Sequence, residues 1–103
     1  MDRLPLDSAQ LVFHAVEVRP DLRDGNQKTR PDGRLVWAVA CLVRFDGRVP
    51  EMVTVKVPSA TPLKLAEMAR VEFGGLYALY WETGGRSGIS VQAESVSAVA
   101  AAK

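Results

Sequence analysis

The residues best equipped for chemistry in this 103-residue chain are cations and aromatics rather than nucleophiles or metal ligands. Between residues 19 and 34, Arg19, Arg23, Lys28, Arg30 and Arg34 stand against Asp21, Asp24 and Asp32, a local excess of two positive charges. Arg44 and Lys56 follow at a spacing that turns both to one surface of a β-hairpin, and Arg86 lies inside the glycine-rich stretch Gly84-Gly85-Arg86-Ser87-Gly88. Trp37, Phe73, Tyr77, Tyr80 and Trp81 supply flat rings. Cations that track a phosphate backbone, together with rings on which bases stack, are what sequence-tolerant recognition of single strands requires. A solvated loop and core packing use the same residue types, so both readings stand for the 20–33 loop and for Tyr77, Tyr80 and Trp81. Trp37 shares its parity with Leu35 and Val39, which makes it core unless that parity faces a ligand groove.

Catalysis has little to work with. The chain holds one His, His14, within an apolar strand pattern, and no nucleophile elbow or HExxH spacing. The glycine-rich stretch lacks the following Lys-Ser/Thr of a phosphate loop and precedes a strand rather than a helix. No enzyme activity, cofactor or metal is expected. The single cysteine, Cys41, sits in an apolar run, which excludes an internal disulfide and a multi-cysteine metal site and predicts a buried, inert thiol. The formal charge of +1 provides no overall field toward nucleic acid or membrane, so any attraction must come from local clustering. No run approaches the roughly 18 apolar residues of a membrane span, and the opening MDRLPLDSAQ has no signal-peptide core; cytoplasmic residence without a membrane partner is the expectation.

The elements that must position these residues read as strands. Residues 1–10 form a flexible arm, 11–99 a single domain and 100–103 a tail. In 11–19, Val12, Val16 and Val18 fall at even spacing opposite Glu17 and Arg19. Residues 20–33, with two prolines and two glycines, read as a long polar loop. The long run 34–45 and the alternating run 49–57 flank Asp46-Gly47, a strong hairpin signal that predicts antiparallel pairing. Thr61 as N-cap and Pro62 at the first helical position predict a short helical connector with Leu63, Leu65, Ala66 and Met68 as its apolar contacts. Residues 71–82 resume strand pattern with a corner at Gly74-Gly75, and a fifth strand begins at Ile89. Three strands, a connector and two strands are the element order of an all-β, five-stranded OB-like Greek-key barrel, with a sandwich and an SH3-like barrel as alternatives.

The run VKVPSATPLKLAEMARVEFGGLYALYWETGGRSGISVQAESV then resembles small OB-fold single-stranded-DNA-binding proteins of phages, plasmids and integrative mobile elements. It is similar to the filamentous-phage helix-destabilising protein and its relatives in actinobacterial mobile elements. The likeness covers about residues 35–99 and is carried by the VxVP strand end, the P-x-x-L connector, the glycine-arginine loop and the GIS-x-x-A-x-S-V closing strand. It implies a sequence-tolerant binder of single-stranded DNA, often a homodimer, that serves replication, transfer or excision of a mobile element. Arg44, Lys56 and Arg86 carry over as backbone contacts and Tyr80 and Trp81 as stackers. With Lys28, Arg30, Arg34 and Trp37 they make up the expected nucleic-acid site. RNA in place of DNA, and a protein-interaction module in place of a nucleic-acid binder, stay open.

Overall fold

The computed structural model describes residues 3–6, 11–45 and 49–99, which form ten strands and no helix. In chain order these are β1 (Arg3–Pro5), β2 (Leu11–Pro20), β3 (Leu22–Arg23), β4 (Asn26–Gln27), β5 (Leu35–Phe45), β6 (Glu51–Ser59), β7 (Ala69–Gly74), β8 (Tyr77–Thr83), β9 (Arg86–Gln92) and β10 (Ser95–Ala98). Eight of them make one curled sheet in the order β1-β8-β9-β6-β5-β2-β7-β10, a half-barrel, while β3 and β4 form a separate two-stranded ribbon. The predicted strand segments account for β2, β5, β6, the β7–β8 pair and the β9–β10 pair.

Alternation drives the central strands. Val39 and Cys41 on β5, and Val55 and Val57 on β6, point into the curl and are almost completely buried, while Met52 and Thr54 stay exposed and Lys56 half-buried on the outer face. The antiparallel register Ala38↔Lys56 through Val43↔Glu51 realises the expected pairing; the Asp46-Gly47 turn itself lies outside the described residues. Phe13 of β2 meets Phe73 of β7 edge to face, with centroids 5.0 Å apart and planes at 82°, and closes the core with Val71 and Ala93. Burial raises the Cys41 thiol pKa to about 11.

Four expectations are corrected. The inward residues of β2 are Phe13 and Ala15, because a register shift between Ala15 and Glu17 interrupts the alternation and leaves Val16 exposed and Val18 packed on the core. The connector forms no helix: Leu63 and Leu65 are half-buried against the core while Pro62, Lys64 and Ala66 face water, a two-residue period that a helix cannot present. Within the expected N-terminal arm, Arg3–Pro5 pairs antiparallel with Tyr77–Leu79. The polar loop after β2 holds the β3–β4 ribbon, whose two-residue turn Asp24-Gly25 takes φ values of 53° and 81°, the left-handed pair of a tight hairpin. The ribbon is tied to β5 by hydrogen bonds from Asp21 N to Val36 O (3.1 Å) and from Val36 N to Lys28 O (2.8 Å).

The Gly74-Gly75 corner is present, with Gly75 at φ 63° separating β7 from β8. Past the corner, β8 and β9 pair from Tyr77↔Gln92 to Thr83↔Arg86 around a Gly84-Gly85 turn. β9 runs parallel to β6 with Lys56 beside Gln92. The β8–β9 hairpin is thereby laid edge-on to β6, with the β3–β4 ribbon near the same face.

Candidate nucleic-acid interface

Strand register decides which side chains meet. Along β8 and β9 the pairs Tyr77↔Gln92, Leu79↔Ser90 and Trp81↔Gly88 share one face, and the parallel pair Lys56↔Gln92 carries that face onto β6, where Thr54 and Met52 continue it. A groove of about 790 Å³ runs along this face, with Leu79 and Trp81 on one wall, Thr54 and Lys56 on the other, and Arg23 and Lys28 reaching in from the ribbon. Trp81 is 38% exposed, and its indole lies over Gly88. The result is an apolar strip with a ring at one end and cations along its rim.

The cations are organised by one carboxylate. Asp21 Oδ1 lies 2.8 Å from Lys56 Nζ, and Asp21 Oδ2 lies 3.7 Å from Lys28 Nζ. The Asp21 side chain is only 12% exposed, against 27% and 45% for its two lysines. Beside them Arg30 Nη2 donates to Tyr77 Oη and to Gln92 Oε1, both at 3.2 Å, and Tyr77 Oη donates to Gln92 Oε1 at 3.0 Å. This polar knot fixes the inner end of the groove. Cations on a rim and an aromatic face beside them suit a ligand with alternating anionic and flat groups.

The expected site residues separate into groups. Lys28, Lys56 and Trp81 line the groove, and Arg30 closes its inner end. Arg86 pairs with Thr83 two positions beyond Trp81↔Gly88, so alternation places it on the same face, at the hairpin tip. Arg44 is exposed on the outer parity of β5, outside the groove lining. Arg34 turns to its own loop, with Nε 2.8 Å from Asp32 Oδ2; the Arg34 backbone N–H, followed by its side chain, holds the Asp32 carboxyl below its ordinary pKa. Two expected stackers lie outside the groove lining. Trp37 is 9% exposed on the inward parity of β5, and its indole N–H donates to Ser59 O at 3.1 Å, so neither ring face is open to a base. Tyr80 follows the opposite parity from Trp81, lies outside the groove lining, and its hydroxyl donates to Glu82 Oε2 at 3.1 Å.

Arg23 and Asp21, counted before only in the charge balance of residues 19–34, and Thr54 and Gln92 belong to the site although none was among its expected residues. The Asp24-Gly25 dipeptide carries the signal for Arg23, since it is the same hairpin marker as Asp46-Gly47. Among the described residues, no group of three or more His, Cys, Asp or Glu side chains could hold a metal ion, and no helix is long and apolar enough to cross a membrane. No protein-family model matches the chain, and neither a curated protein nor a solved structure is significantly similar to it.

Proposed function

We propose that the protein binds single-stranded DNA without catalysis and with little sequence preference, along the groove between β6 and the β8–β9 hairpin. The observation that carries this reading is the exposed Trp81 ring in one groove with Lys56, Lys28 and Arg23. Stacking of a base on such a ring contributes about 1–3 kcal/mol and tolerates any base. The rim lysines meet the phosphates between stacked bases. The strand pairings support an OB-like barrel: with β7–β8 counted as one bent strand and β9–β10 as another, the first and fourth strands are antiparallel and the third and fifth parallel. The groove then lies beside the second and third strands, where barrels of this class bind oligonucleotides. Service in replication, transfer or excision of a mobile element rests on the sequence resemblance alone. Fluorescence anisotropy with labelled oligothymidine at low salt tests the reading, with oligouridine as the RNA arm. Binding that weakens steeply with salt and quenches tryptophan emission is expected; the absence of binding at micromolar protein overturns it.

A second reading is a protein-interaction module. Leu4 and Tyr80, at 60% and 52% exposure, lie on the back of the β1–β8–β9 layer, outside the groove lining. An apolar strip of this kind suits a protein partner or a second copy of the chain. Capture from nuclease-treated extract separates the two readings, because loss of every partner on nuclease treatment contradicts the interaction module.

A further inference from the structure

The groove's two best-placed lysines are not free of a partner: they share a carboxylate. Asp21 directs one oxygen to Lys56 Nζ at 2.8 Å and the other toward Lys28 Nζ at 3.7 Å. Its backbone is tied on both sides, with its N–H donating to Val36 O at 3.1 Å and its carbonyl accepting from Lys28 N at 2.8 Å. The carboxylate therefore cannot swing away with its loop while the ribbon stays docked. Two oxygens on one centre, each facing a different ammonium, is also how the two non-bridging oxygens of a phosphodiester meet a pair of lysines.

We propose that Lys28 and Lys56 form a phosphate subsite that the protein's own Asp21 occupies, so that Asp21 competes with the nucleic-acid backbone and holds the affinity down. The inference rests on the groove being the nucleic-acid site. Its physical basis is exchange. A phosphate approaching the lysines meets a fixed negative charge that is only 12% exposed and is repelled by it, and it gains the ammonium groups only as far as they turn from Asp21. The near-neutral chain then binds weakly and releases readily.

The experiment is a double-mutant cycle in oligothymidine binding with the full chain: unmutated protein, Asp21→Asn, Lys56→Gln and both together, each checked for folding by near-ultraviolet circular dichroism. Asp21→Asn is expected to tighten binding about three- to thirtyfold at low salt and to steepen the log–log salt slope by about 0.7, the value of one added phosphate contact on a single strand. In the Lys56→Gln background the gain shrinks. Unchanged or weaker binding by folded Asp21→Asn, with the unmutated protein still binding, overturns the competition and makes Asp21 a positioning group for the lysines. Failure of both the unmutated and the Asp21→Asn proteins to bind overturns the nucleic-acid reading itself. A measurement that needs no variant accompanies the cycle: the Asp21 carboxyl carbon resonance is expected to shift when the unmutated protein is saturated with oligothymidine, and an unmoved resonance overturns the exchange.

Discussion

The indole of Trp81 covers Gly88 so closely that a methyl group on Gly88 would come within 2.7 Å of Cζ2 and 2.9 Å of Cε2. The two residues are cross-strand partners, and the missing side chain at Gly88 is what lets the ring lie against the hairpin instead of standing off it. One face of the ring is thereby fixed, and the other is offered to the groove. Gly88→Ala is expected to keep the fold, since Gly88 is not among the residues with positive φ, and to push the indole aside. Oligothymidine affinity then falls several-fold while the Trp81 emission maximum moves. Unchanged affinity would detach the ring from the site.

The two tryptophans divide between binding and stability. Trp37 is 9% exposed and hydrogen-bonded to Ser59 O, so Trp37→Ala is expected to cost about 3–5 kcal/mol of stability in urea denaturation. Trp81→Ala removes a ring that is 38% exposed and is expected to cost little stability but about 1–3 kcal/mol of oligonucleotide binding. Equal effects of the two substitutions on binding would contradict this division.

Cys41 makes stability depend on alkaline pH. Burial raises its pKa from 9.0 to about 11, so between these values the unfolded chain has lost the thiol proton that the folded chain keeps. Unfolding releases a proton in that window, and the thiol's contribution, complete below pH 9, is lost as pH rises toward 11. The urea midpoint is expected to fall more steeply over this range in the unmutated protein than in Cys41→Ala, which has a cavity but no thiol. Parallel curves would refute a protonated, buried Cys41. In the folded protein the same thiol should resist iodoacetamide at neutral pH.

Strand patterning made β5 and β6 legible because β5 is a long apolar run and β6 alternates through Val53, Val55 and Val57, and Gly74-Gly75 announced the corner because Gly75 needs φ 63°. The ribbon β3–β4 escaped because two residues on each side are too few to show a period, although Asp24-Gly25 marked its turn. Thr61-Pro62 imitates a helix start, yet the residues after it alternate at Leu63 and Leu65, and that period wins because both side chains reach the core. For the site, the cation-rich character of residues 19–34 was legible, but which cations converge was not. That depends on the docking of the ribbon through Asp21 and Val36, a contact between segments that no local spacing encodes. Tyr80 and Trp81 are neighbours in sequence, and strand alternation turns the two rings to opposite faces of the hairpin, of which the groove takes Trp81.

The central claim, that single strands lie between β6 and the β8–β9 hairpin, is tested most directly by mapping amide and indole resonance shifts as oligothymidine is added to isotope-labelled protein. The largest shifts are predicted at Thr54, Lys56, Trp81, Gly88, Ser90 and Lys28, together with the Trp81 indole N–H, while the Trp37 indole N–H stays in place. Shifts confined to Leu4 and Tyr80 on the back of the hairpin, or none at saturating oligonucleotide, would contradict it.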